Sequence, residues 1–207
     1  FRGLQVADEG PATLVRATIE WNHSTICLTG IESTPRIRPA RQPQRSLRAM
    51  LQQLPADVRW ALCDIAASDN GLVIAQALRD GTAVAVSDGS FKDKFGTAAW
   101  VIEGRRSDGW LEGQCIIPGG PEDQSAYRSE LGGLYAIAAM VQVICELHNI
   151  QEGSIEVACD GMNALAQVGE ADPIIRPNGA QYDIIAATQA KIKRTNIQWK
   201  MRHVMGH

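Results

Sequence analysis

Three carboxylates occupy positions where a carboxylate is costly. Asp88 closes the run Thr82-Ala-Val-Ala-Val-Ser-Asp88 and leads straight into Gly89-Ser90. Val84 and Val86 alternate with Ala83, Ala85 and Ser87, the period-2 pattern of a buried strand, and Asp88 shares the valine side. Asp-Gly is also a common turn dipeptide, so Asp88 taken alone reads as the start of a turn. Glu130 lies near the N-terminal end of an apolar helical stripe formed by Leu134, Ala138, Val141 and Cys145. Asp160 is delivered by the strand-like run 154–159 into Gly161. Parallel strands joined by right-handed crossovers can bring such ends to one edge of a sheet. Converging acids repel one another unless cations intervene. An all-oxygen donor set suits Mg²⁺ or Mn²⁺, not zinc. Hard ions held by neighbouring carboxylates stabilise the attacking and leaving oxygens of in-line phosphoryl transfer.

The surrounding pattern predicts the elements that position these acids. Runs 96–103 and 110–117 read as two further strands with turns at Gly104 and Asp108-Gly109, so three strands form an antiparallel meander. A long helix is predicted over 123–148, a strand over 154–159, helices over 162–168 and 178–193, and a last strand from Ile197 to His203. The fold class expected is α/β: a mixed five-stranded sheet with flanking helices, its helix-joined strands parallel. Upstream, Leu47, Met50, Leu51 and Leu54 recur at helical spacing until Pro55. Two more stripes follow, Val58, Ala61, Leu62, Ile65 and then Leu72, Ile74, Ala75, Leu78, capped by Gly81. These helices are expected to pack on the domain. A hairpin is expected around Asn22-His23, between 13–21 and 24–29. Arg36, Arg38, Arg41, Arg45 and Arg48 lie among prolines without an acid. They read as a solvated linker in preference to a phosphate-binding arm. The domain organisation is therefore 1–45 of unclear structure, 46–80 of short helices, and 81–207 as the main domain.

Composition excludes several classes. With 207 residues, 45% hydrophobic, the chain can bury a sizeable core. A net charge of −3 excludes a uniformly basic nucleic-acid binder but not local patches. Five cysteines without a CxxC pair read as reduced thiols of an intracellular protein, not a disulfide framework or zinc site. The longest apolar run, Leu134 to Cys145, is shorter than a membrane span and holds Gln142, so no membrane partner is expected. A first residue of Phe1 and an end at Gly206-His207 suggest a piece of a longer open reading frame.

In order along the chain, Asp88-Gly-Ser90, Tyr127-Arg128-Ser-Glu130-Leu, Cys159-Asp160-Gly, and Trp199 with Val204-Met-Gly-His207 resemble type 1 ribonuclease H. The version is similar to the domain associated with retroelement reverse transcriptases, and the resemblance covers about residues 81–207. It implies a ribonuclease H-like fold and an endonuclease that cuts the RNA strand of RNA/DNA hybrids with two Mg²⁺ ions, Mn²⁺ being an alternative. Asp88 would bridge the ions, while Glu130 and Asp160 would hold the one on the leaving-group side. His207 matches a mobile-loop histidine that assists proton transfer or product release. Arg128 and Ser90 would contact nucleic acid, joined by Lys200 and Arg202 from a basic cluster with Lys191, Lys193 and Arg194. An upstream polymerase domain of the same polyprotein is the partner implied.

The chain also departs from that family. The family's fourth carboxylate and closing helix lie beyond the histidine, and Asp172 and Asp183 come too early to match the missing acid. Ala126-Tyr127 replace the Asn-type residues used near the minor groove, where the 2′-OH marks RNA. Two other readings follow. One is a catalytically incomplete module that binds nucleic acid or packs on a neighbour. The other, an integrase or transposase on the same fold, places its acids in the order Asp, Asp, Glu, whereas here the order is Asp, Glu, Asp.

Overall fold

The computed structural model describes residues 13–22, 25–35, 46–105, 108–169 and 180–206. The chain divides into two units, Phe1–Gln44 and Arg45–His207. In the first, β1 (Thr13–Asn22) and β2 (Thr25–Pro35) pair antiparallel, with Asn22 opposite Thr25 and Thr13 opposite Pro35. The register shifts between Ala17 and Ile19, so Thr29 and Gly30 face Thr18 alone. A glycine suits such a bulge because it needs no packed side chain. The Arg/Pro-rich run from Arg36 to Arg45 lies outside the described residues.

The second unit is mixed α/β and begins with α1 (Leu47–Gln52), where the Ser46 side chain accepts from Ala49 N at 3.1 Å. Pro55 ends that turn and starts α2 (Ala56–Arg59), which runs into a 3₁₀ turn over Trp60–Leu62. The stripe expected to stay helical through Ile65 does not. Residues Asp64–Ala67 form a strand, β3, that pairs antiparallel with β6 (Trp110–Ile116). α3 (Leu72–Arg79) follows, with Ile74, Ala75 and Leu78 buried and Leu72 left outside. Gly81 takes φ +66°, the left-handed conformation that stops a helix without a Cβ clash.

β4 (Ala83–Lys92) and β5 (Phe95–Gly104) form the hairpin predicted, and β5 pairs with β6. β7 (Gly153–Cys159) runs parallel to β4, and β8 (Ile197–His203) parallel to β7. The sheet order is β3-β6-β5-β4-β7-β8. It has six strands where five were expected, the extra one being β3.

α4 (Ala126–His148) starts where the Ser125 side chain accepts from Arg128 N at 3.0 Å. It ends at Asn149 in the left-handed region, whose N–H reaches Cys145 O. This helix is the centre of the core, with Leu131, Ile137, Met140 and Ile144 fully buried. Among the described residues it is the one helix long and apolar enough to cross a membrane. That differs from the expectation drawn from its shorter apolar run, and most of it is buried within this unit. α5 (Met162–Gly169) and α6 (Tyr182–Arg194) also pack against α4.

The face of β4 turned to α4 is the small one. Ala83, Ala85 and Ser87 are buried, whereas Val84 is half-buried and Val86 is 40% exposed. Gly133 of α4 sits where a Cβ would meet Ser87 Cβ at 2.8 Å. The helix lies so close that only small residues fit beneath it, and the valines look outward.

Candidate active site

Glu130 is carried to the end of β4 by a close backbone approach. A Cβ on Gly89 would lie 2.4 Å from Glu130 N and 2.6 Å from Ser129 C, so only glycine lets α4 settle there. The Ser129 hydroxyl bridges the carbonyls of Ser90 at 3.0 Å and Ser125 at 3.1 Å, pinning the first turn of the helix to the strand. Asp160 follows β7, whose end is tied to β8: Val204 N donates to Cys159 O at 3.1 Å, and His203 Nε2 lies 3.0 Å from Asp160 O. Gly161 leaves room for the Glu130 carboxylate, since a Cβ there would meet Glu130 Oε2 at 1.5 Å. Gly206 does the same for Asp160, its would-be Cβ 2.6 Å from Oδ2.

One donor atom each from Glu130, Asp160 and Cys159 lies within 4.8 Å of the others. Burial, then the Asp160 charge, then the Asp88 charge push the Glu130 carboxyl above the usual carboxylate range. Among the described residues, none of Asp88, Glu130 and Asp160 makes an ion pair. Two carboxylates are thus held together with a repulsion that a bound cation would relieve.

Asp88 is exposed and stands outside that group of three atoms, though its charge reaches Glu130. It shares the outward valine face, opposite Ala99 in register. That face is solvated, so the burial cost expected for Asp88 does not arise. Cys159 gave no sequence signal as a neighbour of the carboxylates, because strand alternation does not reveal what lies above it. Its fully buried thiol accepts from Gly161 N at 3.3 Å, and burial is the main cause that pushes it up. A protonated sulfur is a poor ligand for a hard ion.

Arg128, expected on nucleic-acid backbone, is buried at 5% exposure. Its guanidinium donates to Pro118 O at 2.9 Å, to Gln181, and to both Asp183 oxygens at 3.0 and 2.6 Å. So placed, it fastens the start of α4 to α6 rather than offering itself to a phosphate. Asp183 is correspondingly engaged away from the acids, its carboxyl held below the usual range chiefly by the Arg128 hydrogen bonds. Ser90 is exposed beside Asp88. Lys200 and Arg202 are exposed on the face of β8 that continues from Glu156 and Ala158, and Arg202 pairs with Glu156 at 3.0 Å. His207 and Asp172 lie outside the described residues.

Two outcomes follow from this geometry. Gly161→Ala should displace the Glu130 carboxylate and weaken Mg²⁺ binding at least about tenfold by calorimetry, with far-UV circular dichroism unchanged; undiminished affinity would show that Glu130 is not a ligand. Glu130→Gln should raise the melting temperature of the metal-free protein at pH 7. A carboxyl raised on folding contributes its stability below its unfolded value and loses it as pH rises through the folded one. The gain should therefore shrink as pH falls below the carboxylate range, and Mg²⁺ should narrow it at pH 7. Thermal unfolding across pH measures both effects.

No family model matches this sequence, and no curated protein does either. Solved structures similar to it include ribonuclease H1 from the halophilic archaeon Halobacterium salinarum NRC-1. That match has 16% identity and a TM-score of 0.41, covering 59% of this chain and 85% of that one. Another is LC11-RNase H1, isolated from compost, with 15% identity and a TM-score of 0.46, covering 60% of this chain and 85% of that one. A third is the N-terminal RNase H domain of rv2228c from Mycobacterium tuberculosis, at 14% identity and a TM-score of 0.41, covering 59% and 81%.

Proposed function

We propose that this chain is a metal-dependent endonuclease that hydrolyses the RNA strand of RNA/DNA hybrids, as part of a retroelement polyprotein with a polymerase domain upstream. The observation that carries the reading is the grouping of Glu130 and Asp160 from different elements, with Asp88 near enough to raise Glu130. The donor set fits Mg²⁺, with Mn²⁺ as a substitute, because the exposed donors are carboxylate oxygens and no cationic side chain among the described residues neutralises them. Asp88, Glu130 and Asp160 are the residues that would hold the metal. When bound, it supplies Lewis-acid stabilisation of the oxygens around the scissile phosphorus and a more acidic water.

The chain's own residues do the positioning. Gly89 and Ser129 set Glu130 in place, Gly161 admits its carboxylate, and the Arg128–Asp183 clamp holds the helix that carries it. Ser90, Lys200 and Arg202 are the exposed candidates for phosphate contact, and salt-sensitive binding is expected of them. His207 is assigned to proton transfer or product release, replaceable with a slower turnover but intact metal binding.

A second reading, a catalytically incomplete module that binds nucleic acid or packs on a neighbour, is favoured by one observation. Among the described residues no other carboxylate, Asp88 included, joins the close group of Glu130 and Asp160. A labelled RNA/DNA hybrid separates the two. With Mg²⁺ the chain should cut the RNA strand, and Asp88→Asn should lower the rate about a thousandfold, a loss of roughly 4 kcal/mol of transition-state stabilisation. Retention of the hybrid without cleavage, in Mg²⁺ or Mn²⁺, would favour the second reading.

A further inference from the structure

The strand that the N-terminal helices add to the sheet brings two cysteines close together. β3 pairs with β6 so that Asp64 is opposite Gln114 and Ile65 opposite Gly113. Immediately beyond the Asp64–Gln114 pair lie Cys63, which closes the 3₁₀ turn just before β3, and Cys115 on β6. The strand end is fastened there, since Gln114 Nε2 donates to Asp64 Oδ2 at 2.6 Å. Cys63 and Cys115 also line one cavity, together with Asp64 and Gln114.

The two thiols differ in exposure. Cys63 is exposed, its Sγ 3.3 Å from Trp60 O. Cys115 is buried, and burial first, then the neighbouring Cys63, push its thiol up to about 12. Cys145 and Cys159 are both buried, so among the cysteines whose side chains are described Cys63 is the thiol that an oxidant in solution meets first.

We propose that Cys63 and Cys115 are a reversible redox modification site, closed by a small-molecule disulfide into a bond that locks β3 onto β6. The Cys63 thiolate attacks one sulfur of the small disulfide, forming a mixed disulfide and expelling one thiolate, which takes up the proton Cys63 gave away. The Cys115 thiolate then attacks the Cys63 sulfur, and the second small thiolate leaves and is protonated in turn. Two protein thiols are oxidised to one disulfide, and the small disulfide is reduced to two thiols. The second step is the slow one because its nucleophile is almost wholly protonated at neutral pH, so closure accelerates as pH rises.

The test is to incubate the folded full chain with oxidised glutathione and follow intact mass. The expected product has lost two hydrogens, yields a linked 63–115 peptide without reductant, and melts several degrees higher than the reduced form, reversibly with dithiothreitol. Cys63→Ala should abolish the linkage, and because Cys63 is exposed this variant keeps the fold. Cys115→Ser should stop the reaction at a glutathione adduct on Cys63. The proposal is overturned by a stable adduct on Cys63 in the unaltered chain, by linkage through any other cysteine, or by no reaction in the folded state.

Discussion

The approach of α4 to β4 at Gly89 is the contact on which the rest of this molecule depends. The helix backbone comes so near that a single Cβ would stand 2.4 Å from Glu130 N. The residues around that contact are small to match: Ala83, Ala85 and Ser87 on the strand, Ser129 and Gly133 on the helix. The close packing does two jobs at once. It buries the middle of α4 as the core, and it puts Glu130 beside Asp160 at the end of β7, where three carboxylates repel. Removing the space at Gly89 would therefore cost stability and site geometry together.

The clamp at the other side of α4 follows the same logic. Arg128 is two residues before Glu130, and its hydrogen bonds to Pro118, Gln181 and Asp183 join a loop, α4 and the start of α6. Burying a guanidinium is tolerable only because a carboxylate and two carbonyl oxygens meet it. Because Asp183 is depressed on folding, its share of stability is present above the ordinary carboxylate value and fades as pH falls through the lowered one. Glu130 has the opposite sign. The molecule thus holds one relieved carboxylate, Asp183 on α6, and one unrelieved one, Glu130 on α4, and the unrelieved one marks the candidate site.

Much of this was legible from residue order, and the misses share a cause. The α/β class, the meander of β4, β5 and β6, the long α4 and the parallel pairing of β7 with β4 and β8 follow from local periodicity and crossover rules. β3 was not legible: Asp64-Ile-Ala-Ala follows a helical stripe, is poor in strand formers, and becomes a strand because β6 has a free edge. The outward face of Val84 and Val86 was misassigned because alternation names two faces without saying which one a helix covers. Arg128 carries no local sign that its partner is Asp183, 55 residues away. In each case the deciding contact is distant in sequence.

The candidate site stands or falls on a metal ion held between Glu130 and Asp160, with Asp88 contributing. Paramagnetic Mn²⁺ titrated at substoichiometric levels into isotope-labelled protein measures this directly, through the amide signals that broaden first. Early loss is expected of the Gly89, Glu130, Gly161 and Gly206 amides, whose backbones crowd those carboxylates, while Asp64 and Glu112 on the outward sheet face persist. Broadening that begins at Asp64 and Glu112 and spares Gly161 would contradict it.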